Sequence, residues 1–240
     1  MSVLLAAFVI VLLAAATQAT TGFGFALVAV PLLATATDAR TAIVTVSLIG
    51  LVLTVMIALR ERAHVRWRPV AGLLAATALG MPAGLLVLAV APERLLAVLI
   101  AIVVLGCTAM VWRGVRLRTG PGTVAGVGMV AGVLATATGV NGPPVAAAFR
   151  GMGFDPRTFR ASLAAFFVGS GVAGLVGLGL TGQIHASAIA LAAAGVPGVA
   201  LGWWAGNWAF ARMDPDRFRR SVLYALIGTS IVTLVRTAVG

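Results

Sequence analysis

Lysine is absent from the 240 residues, cysteine occurs once, and only six residues are acidic. Each shortage excludes something. Cys107 stands alone, so no intramolecular disulfide can form, and it shares no metal-ligand spacing with His64 or His185. No Ser/His/Asp order, HExxH or Walker glycine–lysine loop occurs. No catalytic residue, metal site or cofactor is therefore expected, and transport by this chain alone would be secondary or passive. The acids Asp38, Glu61, Glu93, Asp155, Asp214 and Asp216 all fall at the ends of apolar runs or between them. Cation and proton carriers generally hold a carboxylate inside the membrane, so a cationic cargo is disfavoured. All 17 basic residues are arginine, and they give a net charge of +11. Their place in short polar stretches marks orientation signals and contacts with anionic lipid headgroups. Nucleic acid is not an expected partner.

What the chain has in quantity is apolar side chain: 61% of residues are hydrophobic and 10% charged, where a soluble domain carries about 25% charge. Several runs reach the ~20 residues that carry a helix across the ~30 Å hydrocarbon core. They lack the period-2 alternation of a membrane barrel, so the expected fold is an all-α integral membrane protein. Ten apolar segments are expected, near 3–18, 22–37, 40–59, 69–91, 94–112, 121–138, 142–152, 158–180, 186–210 and 217–236. The first has no positive n-region, so it is expected to stay rather than be cleaved as a signal peptide. If direction alternates from segment to segment, 14 of the 17 arginines fall on one side, and Arg40, Arg94 and Arg236 on the other. The positive-inside rule makes the first side cytoplasmic. Both termini of a multi-pass plasma-membrane protein are then expected outside.

Five segments per half is an odd number, so residues 119–240 must begin on the opposite side from residues 1–118. That is the arithmetic of an inverted repeat. Thr21-Gly22 recurs as Thr138-Gly139, and Asp38-Ala39-Arg40-Thr41 as Asp155-Pro156-Arg157-Thr158, both 117 residues on. Gly80-Met81-Pro82 is echoed by Gly195-Val196-Pro197 at a different offset. Each half is interrupted at its first repeated motif. Glycine and proline at the density of Gln18 to Phe25 and of Thr138 to Pro144 break helices or make them re-enter. A restarted helix offers unpaired N–H groups and the positive end of its dipole, which together bind anions. The candidate binding residues are Gln18, Thr20, Thr21, Gly22, Phe23, Gly24, Phe25, Thr138, Gly139, Asn141, Gly142 and Pro143. Asn141 is a candidate cap for the second restart. Arg160, one turn beyond Arg157, is the arginine expected to face a vestibule.

The stretch Gly22-Phe23-Gly24-Phe25 leading to Val30-Pro31-Leu32-Leu33 resembles the first signature of the TauE/SafE sulfite exporter family, also called the toluene sulfonate uptake permease family. Ala131-Gly132 to Pro144 is similar to its second signature, and the resemblance extends over nearly the whole chain. It implies a secondary transporter, commonly an exporter, of small sulfur-containing or organic anions such as sulfite, thiosulfate, sulfonates or sulfoacetate. The expected partners are a small anionic substrate and the lipid bilayer, with a homo-oligomer left open. Alternating access, one repeat moving against the rest, is the expected mechanism. A passive anion channel and a non-transporting assembly subunit are the alternatives.

Overall fold

The computed structural model describes residues 3–118 and 120–210. Apolar composition and the absence of acids inside the runs leave the backbone one way to satisfy itself in lipid, and the described residues are helical throughout with short connections. In chain order they form α1 (Val3–Thr21), α2 (Phe25–Ala36), α3 (Ala39–Glu61) with a 3-10 turn (Arg62–His64), α4 (Trp67–Val90), α5 (Glu93–Trp112), α6 (Pro121–Ala137), α7 (Gly142–Gly151), α8 (Pro156–Leu180) and α9 (Ala186–Phe210). The tenth expected segment, 217–236, lies outside the described residues, as do Arg212, Arg217, Arg219, Arg220 and Arg236.

Five helical stretches are long and apolar enough to cross a membrane: Ala39–His64, Trp67–Val90, Glu93–Trp112, Pro156–Leu180 and Ala186–Trp208. Helices α2 and α7 have 12 and 10 residues. At 1.5 Å per residue they reach only about 15–18 Å, roughly half the hydrocarbon thickness.

The repeated Asp-x-Arg-Thr motif turns out to be a helix start. The Asp38 carboxylate accepts the Thr41 N–H at 2.8 Å at the head of α3, and the Asp155 carboxylate accepts the Arg157 and Thr158 N–H groups at 3.0 and 3.2 Å at the head of α8. Such caps satisfy donors that a helix start leaves orphaned. Arg40 is not a solvated loop charge. It donates to the Leu88 and Ala91 carbonyls and so closes the C-terminal end of α4.

The most extensive packing joins α4 to α6 and α1 to α9. Both seams are built on glycine. A Cβ on Gly80 or Gly84 would collide with the Met129 or Val133 carbonyl of α6, and one on Gly132 with the Thr77 carbonyl of α4. Across the other seam, a Cβ on Gly198, Gly202 or Gly206 would strike the Phe8, Leu12 or Ala16 carbonyl of α1. Small residues are what allow membrane helices to approach this closely. In each seam the contacting numbers rise together, so α1 runs parallel to α9 and α4 parallel to α6. Helices α3 and α8 run antiparallel: Ser162 near the start of α8 meets Arg66 just past α3, while Gly171 packs on Leu51.

The two seams are built alike: Gly80 meets Met129 as Gly202 meets Leu12, and Gly84 meets Val133 as Gly206 meets Ala16. Gly195 of the Gly-x-Pro echo packs on Val11 and Ile49.

Candidate functional site

Helix α1 ends where Gly22 and Gly24 take φ values of 80° and 114°, a region closed to most L side chains. The Gly22 N–H closes back on the Gln18 carbonyl at 2.8 Å. Helix α6 ends the same way, with Gly139 at φ 70°, and Pro143 and Pro144 then start α7. The Thr21 hydroxyl bonds the Thr17 and Phe23 carbonyls and accepts the Phe23 N–H; the Thr138 hydroxyl bonds the Leu134 carbonyl and accepts the Val140 N–H. Each threonine pins its own turn.

Both restarts open on one cavity of about 100 Å³, room for a small oxyanion or several waters. Gln18, Gly24, Phe25, Gly139, Asn141, Gly142 and Pro143 line it, so seven of the expected residues come together across the two halves. Thr21, Gly22, Phe23, Thr138 and Arg160 stand outside the lining, and the Thr20 side chain is outside the described set. Among the described residues, no charged side chain lines the cavity.

The donors are specific. Gln18 Oε1 accepts the Phe25 N–H at 3.1 Å, which turns its amide NH2 away from that bond, and among the described residues the NH2 has no acceptor. Among the described residues, the N–H groups of Gly24, Ala26 and Leu27 at the head of α2, and of Asn141 and Gly142 at the head of α7, also have no acceptor. Pro143 and Pro144 bring no N–H, so α7 offers fewer donors than its sequence position suggests. Asn141 does not cap α7: the two positions whose N–H groups a capping side chain would accept are Pro143 and Pro144, which have none, and Asn141 lines the cavity instead. Gly142 does not have a positive φ, so the conformational demand falls on Gly139.

Helices α3 and α8 supply the remaining wall, with Ser47, Gly50 and Thr54 facing Phe167, Ser170 and Gly171. Ser47 and Ser170 are polar residues at membrane depth. Their hydroxyls do bond their own helices, to Ile43 at 2.7 Å and Phe167 at 3.4 Å. Thr54 and the two glycines carried no signal, because in an apolar helix a small wall residue is indistinguishable from a packing residue. Trp203 lies under the Arg60 guanidinium at 4.4 Å, whereas Trp204 and Trp208 are exposed.

Residues 7–233 match the model of the family described as Sulfite exporter TauE/SafE. The chain belongs to the TauE/SafE sulfite exporter family. That makes it a multi-pass membrane protein of a transporter family, in keeping with its apolar helices. Neither a curated protein nor a solved structure matches it. Within this TauE/SafE member, the two family-like signatures are the stretches that bring the heads of α2 and α7 to one cavity.

Proposed function

We propose that the protein is a secondary transporter, working outward, for a small sulfur-containing or organic oxyanion of the sulfite, thiosulfate, sulfonate or sulfoacetate class. The observation that carries this reading is the cavity shared by the heads of α2 and α7, lined by dipolar donors and, among the described residues, by no charge. Neutral donors and helix dipoles suit a carrier, which must bind its cargo and then release it. Gln18 and Asn141 set the orientation of the anion, and the free N–H groups of both helix heads bind its oxygens. A thermal-shift panel of sulfite, thiosulfate, methanesulfonate and sulfoacetate on the detergent-solubilised protein tests this. A ligand at ~100 times its Kd adds about 2.7 kcal/mol. Gln18→Glu keeps the acceptor for Phe25 but puts a negative oxygen where the donor was, so at least a tenfold loss of affinity is expected. A folded Gln18→Glu protein that binds like wild type would remove the cavity from the account.

We further propose that residues 1–118 and 119–240 are inverted repeats, with interrupted helices at the cavity and alternating access between the two sides of the plasma membrane. The offset of 117 residues, the matched seams, the parallel pairs and the antiparallel α3 and α8 support it. The interlocked seams argue against one whole repeat moving as a body, since α1 is bound to α9 and α4 to α6. The arginine asymmetry supports external termini. In a Cys107→Ser background, a cysteine at position 116 is expected to resist an impermeant thiol reagent in intact cells. Strong labelling there reverses the orientation.

A further inference from the structure

Arg160 lies outside the cavity, but its surroundings are unusual for a charged side chain at a helix end. Its stem runs along the first interruption, with Cγ 3.4 Å from where a Cβ on Gly22 would stand. Its Nε is enclosed and has no hydrogen-bond partner. No carboxylate pairs with it among the described residues, since its nearest acid in sequence, Asp155, is committed to capping α8. A buried donor without an acceptor costs about 1–3 kcal/mol, more when charged, and calls for an explanation. Around it stand two aromatic rings, Phe159 beside Gly22 and Phe23, with the Arg150 guanidinium 5.8 Å from the centre of each. Phe23 also packs its Cβ 3.4 Å from the Cβ position of Gly142, which is cavity wall. Phe23 is 3% exposed, packed between the Arg150 guanidinium on one side and Gly142 of the cavity wall on the other.

We propose that Arg160, flanked by Arg150, forms a second oxyanion site separated from the cavity by Phe23. The missing acceptor for Nε is one oxygen of a pyramidal or tetrahedral oxyanion, bound side-on by the guanidinium fork as arginine binds such groups. On the proposed topology this site lies on the cytoplasmic approach. An anion waits there, on the full charge of Arg160, before it passes Phe23 to the neutral donors of the cavity. The idea of two sites in series rests on the cavity reading above; the existence of the Arg160 site does not.

Calorimetric titration of sodium sulfite into the purified full-length protein tests it. Wild type is expected to show two classes of binding. Arg160→Gln removes the more salt-sensitive class and leaves the other. Arg160→Lys keeps the charge but loses Nε, and weakens that class about tenfold. Gly142→Val removes the salt-insensitive class and leaves the Arg160-dependent one. Repeating the titration in nanodiscs of phosphatidylglycerol and of phosphatidylcholine separates two sources of the same chemistry. Loss of the Arg160 class only in phosphatidylglycerol makes a lipid phosphoryl group the occupant, and persistence in both makes it the free anion. If both Arg160 variants fold and bind sulfite as wild type does, or if Arg160→Gln and Gly142→Val remove one and the same class, the second site does not exist. If Gly142→Val changes nothing while Arg160→Gln removes all binding, the cavity reading fails and the Arg160 site stands.

Discussion

At the scale of residues, the cavity depends on side chains that serve the backbone first. Gln18 accepts one N–H of α2 and by that bond aims its own donor inward. Thr21 and Thr138 spend their hydroxyls inside their turns, so removing either should disturb the turn before it disturbs a ligand. Gly139 is the position where chain geometry is most demanding. Its φ of 70° is costly for any L side chain, and a Cβ there would come within 3.1 Å of Val30 Cγ2. Gly139→Ala is therefore expected to destabilise the protein by roughly 1–2 kcal/mol for the left-handed conformation alone, with the Val30 contact added. A lowered melting temperature in detergent and weakened anion binding should appear together. Unchanged stability would mean that the α6–α7 turn relaxes to another conformation.

At the scale of elements, the helices are specified at their ends more than along their lengths. Their middles are apolar all round, as helices in lipid can be, and carry little positional information. Asp38 and Asp155 fix where α3 and α8 begin. The Thr158 hydroxyl and N–H, with the Arg157 N–H, hold the Asp155 carboxyl below its ordinary pKa of 3.8. The charged form is thus favoured by folding. Its contribution is complete above the ordinary aspartate pKa and drains away as pH falls through the lowered folded value. Asp155→Asn, which does not titrate, should flatten that part of the melting-temperature profile between about pH 5 and pH 2. An identical acid slope in both proteins would put the titration elsewhere. The glycine seams are the other element-level device. They need no particular partner side chain, only the lack of a Cβ opposite a carbonyl.

At the scale of the molecule, the two halves are threaded through one another. The first helix of each half is packed on the fourth helix of the other, so on the proposed alternating access α1 is expected to stay with α9 and α4 with α6. Val11 and Gly195 offer a direct probe. The Val11 Cβ is 3.6 Å from the Cβ position of Gly195, within disulfide reach. In a Cys107→Ser background, oxidised Val11→Cys/Gly195→Cys protein is expected to transport in proteoliposomes at close to its reduced rate. Transport that stops on oxidation and returns with a reductant would show that these helices part during the cycle.

The sequence by itself determined the helical membrane class, because 61% hydrophobic residues with no acid inside a run leave the backbone no other way to pair. It also marked where α1 and α6 end and α7 begins, since Gly22, Gly24 and Gly139 and the Pro143-Pro144 pair act through local backbone geometry that short motifs encode. Only the tertiary structure decided which polar groups face the cavity. Whether Thr138 turns inward or bonds Leu134 depends on an acceptor that a turn brings close and a sequence does not order in space. The roles of Arg40 and Arg160 were decided the same way. One arginine found the carbonyls of α4, and the other was enclosed beside Gly22 with no acceptor. Identical charges took opposite roles because packing, acting between residues far apart in the chain, supplied partners to one and withheld them from the other.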